Sequence, residues 1–205
     1  MFFSFFSHTY TVSSAEDEDY VHNMTKNACE LTLNPNTAHR ELSLSEGNRR
    51  VTRVWVKQLC PDHPERFRDC PQVLCREGLT GQCYWETEWS GKAYIGVAYR
   101  GINKHGEANS CVMGFNDKSW SLECSNDIYT AWHNNKSAVV PVCSSRSNRV
   151  RVHLDYLHGH LSFYSISSGS LTQLHTFNTT FTEPLYPGFV VWDYGSSVSL
   201  CKVKR

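Results

Sequence analysis

The clearest pattern in this chain runs from residue 149 to residue 165. Val150, Val152, Leu154 and Tyr156 alternate with Arg151, His153 and Asp155, the period of two that turns one face of a strand to a core and the other to solvent. Gly159 follows His158 and supplies a hairpin tip, because glycine tolerates positive φ. A return strand runs over 161–165. The same alternation puts Trp85, Thr87 and Trp89 on one face and Glu86 and Glu88 on the other. Short strands are expected at 83–89, 93–99, 111–115, 119–124, 136–142, 149–156, 160–166, 171–177, 185–192 and 197–203. Turn clusters divide them at 103–106, 116–117, 144–148 and 167–170. No long, capped segment with a 3.6-residue period interrupts the series, so one or two helical turns at most are expected. Short strands at this spacing argue an all-β sandwich.

Length and composition narrow the picture. A chain of 205 residues, 40% hydrophobic and 13% aromatic, suffices for one domain whose aromatics carry much of the burial. Lys and Arg number 20, as do Asp and Glu, and this balance lacks the basic excess that nucleic-acid phosphates demand. No nucleic-acid partner is expected, and no apolar run approaches the roughly 18 residues of a membrane span. The opening Phe2–Phe6 stretch lacks a basic flank and reads as part of a flexible leader, residues 1–27. Nine cysteines are an odd set, and most lie in strand-like segments where a small apolar thiol packs well. They are expected to be reduced, which places the chain in the cytoplasm. Sequons at Asn23, Asn135 and Asn178 point instead to a secreted chain.

Several motifs, in order, resemble one family. Leu154-Asp155-Tyr156 with Gly159-His160-Leu161-Ser162-Phe163-Tyr164 is similar to the LDYEAGxLSFY signature of SPRY domains. Tyr84 to Trp89 resembles the family's YWEVEV strand, with Thr87 where Val is usual. Leu31 to Ala38 resembles the LTLDPNTAH opening of the preceding PRY segment. Leu42 to Glu46, Arg49 to Val54, Pro64 to Phe67 and Val73 to Cys75 resemble the stretches that follow it. Wording at 117–120, 129–135 and 184–189 is similar to fish members found in tripartite-motif proteins, NACHT and leucine-rich-repeat receptors and stonustoxin-like proteins. The resemblance implies a bent antiparallel β-sandwich of concanavalin-like jelly-roll type with an N-terminal PRY extension. The PRY part is placed at 28–75 and the SPRY part at 78–203, folding as one domain because the PRY part is too small for a core of its own.

Chemistry finds little footing. Glu86 and Glu88 are paired carboxylates, but on one strand face such residues are ordinarily solvated or salt-bridged. Cys60, His63, Cys70 and Cys75 are zinc-type ligands, yet their gaps are irregular and interrupted by Pro61, Pro64 and Pro71. No metal or other cofactor is expected there. His158 and His160 are expected to be exposed hairpin residues. There is no nucleophile elbow, no phosphate-cradling glycine loop and no RING, so no enzyme activity is expected of this chain. The resemblance implies a module that grips a protein or peptide through its loops, in innate immune signalling or pathogen sensing. Candidate contacts are Arg49, Arg50, Asn103, Asn126, Asp127, Tyr129, Asp193 and Tyr194. Loops on a rigid scaffold concentrate binding residues, and Tyr and Arg are frequent anchors. Substituting Asp193 and Tyr194 is expected to leave stability nearly unaltered. Two alternatives stand beside this reading. One is a butyrophilin-type sensor of a small phosphorylated ligand through Arg49, Arg50, Arg53, Arg100 and His133. The other is a domain of a secreted stonustoxin-like protein.

Overall fold

The computed structural model describes residues 27–125, 128–141 and 147–202. The strands are β1 (Leu42–Ser45), β2 (Arg50–Arg53), β3 (Gln72–Leu74), β4 (Gln82–Ser90), β5 (Ala93–Tyr99), β6 (Ser119–Cys124), β7 (Tyr129–His133), β8 (Lys136–Val140), β9 (Arg149–Asp155), β10 (His160–Ser167), β11 (Ser170–Asn178), β12 (Leu185–Val191) and β13 (Ser197–Leu200). One helical turn, α1 (Ala108–Cys111), interrupts them. They form two antiparallel sheets, a seven-stranded one in the order β1-β2-β13-β4-β9-β10-β11 and a six-stranded one in the order β3-β12-β5-β6-β7-β8. The fold is the β-sandwich that the alternating pattern argued.

The pattern along β9 works as expected at three positions. Val150, Val152 and Leu154 are fully buried between the sheets with Trp85, Phe163, Phe189 and Val198. On the outer face Glu86 lies opposite Arg151 in register. Its two oxygens accept from Arg149 Nη2 at 2.9 Å and from Arg151 Nε and Nη2 at 3.0 and 2.7 Å. Both oxygens of Glu86 thus serve cross-strand pairing and neither addresses a substrate. Thr87 is buried and donates its hydroxyl to the Val150 carbonyl at 3.3 Å, so the departure from Val leaves no orphaned group.

A second apolar cluster lies on the outer face of the six-stranded sheet. Phe67, Cys70, Ile102, Val112 and Met113 cover Tyr94, Ala98 and Val190 there. With both faces covered, every residue of β5 is buried, which is why Ala93–Tyr99 reads as an unbroken apolar run.

This covering layer corrects the expected strand at 111–115, where Cys111 ends α1 and 112–115 is a turn packed on the sheet. Its backbone bonds go to a side chain instead of a ladder. Buried Gln72 accepts from Met113 N–H at 2.9 Å and donates to the Cys111 carbonyl at 3.3 Å. Conversely, 129–133, absent from the expected strands, is β7, paired with β6 and β8.

The expectation of mostly reduced thiols is corrected for four cysteines, while Cys60, Cys75, Cys124 and Cys201 are free among the described residues. Cys29 and Cys83 are disulfide-bonded, as are Cys70 and Cys111. The zinc-type set is thereby split, since Cys70 is bonded to Cys111 and Cys75 is buried in the main core. His158 and His160 are exposed, whereas His153 on the same hairpin is buried.

Gly159 has φ of +73° and a β-carbon there would lie 1.8 Å from the Thr179 carbonyl oxygen. The 167–170 turn is also tight, with Ser168 at φ of +50°, so Val is disfavoured at both sites. Gly81 has open space at its β-carbon position and is the better reference. Gly159→Val is expected to lower stability by roughly 3 kcal/mol through strain and clash, and Gly81→Ala by less than about 0.5 kcal/mol. Equal urea midpoints for the two variants would contradict this account of the hairpin.

Candidate functional site

β2 ends at a rim of the sandwich, where the loop between β12 and β13 meets the connector leading to β3. Arg53 N–H donates to the Ser196 carbonyl at 3.0 Å and Gly195 N–H to the Arg53 carbonyl at 2.9 Å. Ser196 N–H closes the turn on the Asp193 carbonyl at 3.1 Å. These bonds fix the loop that carries Asp193 and Tyr194. The connector is fixed in turn, since Val54 N–H donates to the Glu41 carbonyl at 2.9 Å and Gln58 N–H to the Arg40 carbonyl at 2.7 Å.

The side chains at this rim converge on Glu41. Its Oε2 accepts from Arg53 Nη2 at 3.0 Å and from the Tyr194 hydroxyl at 3.0 Å. Arg53 Nη1 also donates to the Trp192 carbonyl. Burial acts to raise the Glu41 carboxyl, but the bonds from Arg53 and Tyr194 outweigh it and hold the pKa below the ordinary carboxylate value. The Tyr194 ring stacks on Trp55, with centroids 3.6 Å apart and planes 13° from parallel. The Arg53 guanidinium carbon lies 4.3 Å from the same centroid. Two planar groups this close to one centroid would overlap on a single face, so Tyr194 is held between them. Trp55 is 78% exposed, and Val56 and Leu59 on the same connector are exposed too.

His39 orders the base of the rim. Its Nδ1 lies 3.1 Å from Glu41 N–H, which donates to it. Its Nε2 lies 2.9 Å from the Arg68 carbonyl, which can only accept. The ring is therefore neutral with its proton on Nε2. Burial, as the largest influence, lowers its pKa.

Comparison with known proteins now decides the family. The SPRY-associated PRY domain profile matches residues 31–79 and the SPRY domain profile matches residues 82–203. The chain belongs to the SPRY family. It is 42% identical over 172 residues to stonustoxin subunit beta from Synanceia horrida, covering 83% of this chain and 24% of the relative. It is 38% identical over 167 residues to tripartite motif-containing protein 16 from Mus musculus, covering 79% of this chain and 29% of that protein. The chain thus spans about a quarter of the length of these relatives. The solved stonustoxin structure superposes with a TM-score of 0.78 at 41% identity, over 85% of this chain and 27% of that one. The crystal structure of the TRIM65 PSpry domain superposes with a TM-score of 0.80 at 26% identity, over 96% of this chain and all of that one. SPRY domains are protein-interaction modules and generally non-catalytic.

The SPRY scaffold separates the contacts expected from sequence. Asp193 and Tyr194 lie at the rim just described. Arg49 and Arg50 lie at the other end of β2, roughly 10 Å away along the strand, where Arg50 donates to the hydroxyls of Ser199 and Ser197 at 3.2 and 3.1 Å. Asn103 is exposed beside Lys104, whose carbonyl accepts from Arg68 N–H at 2.8 Å. Asn126 and Asp127 lie outside the described residues. Tyr129 is withdrawn from the surface. It is 5% exposed in β7, its hydroxyl donates to the Ser147 carbonyl at 2.7 Å, and burial first of all raises its pKa to about 12.

The five cations of the phosphorylated-ligand reading do not converge. Arg53 serves Glu41, Arg100 pairs with Glu65 at 3.4 Å, and His133 stacks on Trp120 at 4.6 Å. Reasoning from sequence missed Trp55, Glu41 and His39. The only signal for Trp55 was a large aromatic just past the expected strand end.

His39, His153 and His175 all have pKa values lowered chiefly by burial. The unfolded chain therefore binds more protons than the folded one as pH falls through the ordinary histidine value near 6.5. The stabilisation is complete above that value and is lost as pH falls through the folded values. Urea unfolding is expected to show lower stability at pH 5.5 than at pH 7.5. His39→Gln retains a donor and an acceptor without titrating, and should flatten the profile. A wild-type profile that is flat or rises toward acid would overturn this.

Proposed function

We propose that the rim built by Trp55, Arg53, Glu41 and Tyr194 is the recognition surface of a non-catalytic domain that binds a protein or peptide partner in innate immune signalling or pathogen sensing. The observation that carries the reading is the exposed Trp55 indole on a Tyr194 ring that is itself held by a charged pair. A rigid aromatic loses little conformational freedom on binding, and Trp, Tyr and Arg dominate interface energetics. Similarity to tripartite-motif proteins supports the immune context.

Tyr194 is half-buried and braces Arg53, Glu41 and Trp55, so its loss is expected to lower stability by about 1–2 kcal/mol, unlike a free loop residue. Trp55→Ala separates the two roles. It is expected to weaken capture of the domain's partner from cell extract about thirtyfold, the equivalent of about 2 kcal/mol, with a stability change below about 0.5 kcal/mol. Undiminished capture by a folded Trp55→Ala domain would remove this rim from the site.

A second reading is favoured by the two disulfides. They fit a secreted stonustoxin-like protein, and Asn135 and Asn178 are exposed as glycan acceptors must be. Mass-spectrometric thiol mapping of protein alkylated in its source tissue decides between compartments. Intact Cys29–Cys83 and Cys70–Cys111 support the secreted reading, and free thiols at all four positions support the cytoplasmic one.

A further inference from the structure

Lys57 of the connector, the 39–41 stretch and the 66–69 segment line an open groove of about 600 Å³, two residues along the chain from Trp55. The carboxylates that line it are already engaged. Glu41 serves Arg53 and Tyr194, Asp62 accepts from Arg40 at 2.7 Å, and Asp69 accepts from Gly106 N–H at 2.7 Å. Arg66 is buried and spent on the backbone carbonyls of Pro35, Ala38 and Pro61, and His39 is neutral.

Lys57 and Arg68 differ from these. Both are exposed in the groove lining, and neither side chain has a hydrogen bond or ion pair among the described residues. Arg40, Lys57, Arg66 and Arg68 against Glu41, Asp62 and Asp69 leave the lining one formal positive charge in excess, and Lys57 shares its connector with the exposed apolar side chains of Trp55, Val56 and Leu59. An incoming carboxylate would meet donors that lose no existing partner, and its apolar neighbours would meet surface that is still hydrated. Two free cations in a short open groove suit side-chain carboxylates. A nucleic-acid backbone would require a longer basic track.

We infer that this groove takes an acidic peptide segment of a protein partner, with Asp or Glu side chains on Lys57 and Arg68 and a large apolar residue against Trp55. The inference rests on the reading of the Trp55 rim as the recognition surface and specifies the chemistry of its partner.

The test is selection of random peptides on the wild-type domain, on Lys57→Glu/Arg68→Glu and on Trp55→Ala. The wild type is expected to enrich Asp and Glu beside aromatic or aliphatic residues. The charge reversal should abolish the acidic enrichment and weaken a selected acidic peptide at least about tenfold, the loss of two exposed ion pairs. Raising salt should weaken the wild-type complex in the same sense. Lys57→Gln/Arg68→Gln serves if the reversal fails to fold. Peptides without acidic enrichment, the same enrichment on the charge-reversed domain, or no selected peptide at all would overturn the inference. Loss of selection on Trp55→Ala without acidic enrichment on the wild type would leave the recognition surface standing and remove only its acidic preference. A Trp55→Ala domain that selects as the wild type does would remove the recognition surface itself.

Discussion

The six-stranded sheet must be covered on both faces, and the rest of the molecule follows from that constraint. β5 has no polar face to leave in water, so one side packs on the seven-stranded sheet and the other needs a separate cover. The PRY segment supplies part of that cover through Phe67 and Cys70. To do so the chain must leave β2 in one sheet, cross the rim and reach β3 in the other. The connector that makes this crossing carries Trp55, Val56, Lys57 and Leu59. It has no partner strand, so its backbone is tied to Glu41 and Arg40 and its side chains remain outside. The exposed surface is thus a geometric consequence of covering the sheet, and a rigid one.

Glu41 gives that rim its rigidity. An exposed ion pair contributes little, because water competes and two long side chains must be ordered. The Arg53–Glu41 pair is only about a sixth exposed on either side chain, at 17% and 18%, and shares its acceptor oxygen with the Tyr194 hydroxyl. Each member of the group fixes the next. His39 orients the Glu41 backbone, Glu41 orients Arg53 and Tyr194, and these two position the indole of Trp55. Arg53 Nε is buried without a partner among the described residues, so the group is held by its Nη bonds and by packing, and its dependence on a neutral His39 ties the surface to solution pH.

Much of the fold was legible because period-two alternation is a local property. β4, β5, β9 and β10 were placed within a residue or two, and the PRY and SPRY motifs supplied the architecture. The failures share a cause. Residues 111–115 are a short unbroken apolar run like a buried strand, but they answer to the outer face of a sheet whose strands lie elsewhere in sequence. Tyr129 has the composition of a binding residue, and only the pairing of β7 with β6 and β8 shows that it faces the core. Trp55 carries the opposite ambiguity. An aromatic beside a strand reads as core, and its exposure is set by a chain crossing that no local pattern encodes. Arg49 and Arg50 follow Asn48 in sequence, yet lie a strand's length from Tyr194.

The cysteines show the same limit and leave a physical tension between fold and compartment. Cys75 and Cys124 are buried, and burial raises both thiols well above their ordinary pKa, so they are poor nucleophiles in either compartment. The bonded pairs occupy different places. Cys29–Cys83 ties the chain entry to the start of β4, and Cys70–Cys111 ties the PRY cover to the segment after β5. They close loops spanning 54 and 41 residues of sequence, and long closed loops are where a crosslink most reduces the freedom of the unfolded chain. Yet Cys70 and Cys111 are also members of the outer apolar cluster, and as thiols they would remain small apolar groups in the same place. The layer that positions the connector therefore rests on apolar burial first, with the crosslinks as reinforcement. On this argument the rim around Trp55 keeps its shape in a reducing or an oxidising compartment, and oxidation changes how long it survives and not what it presents.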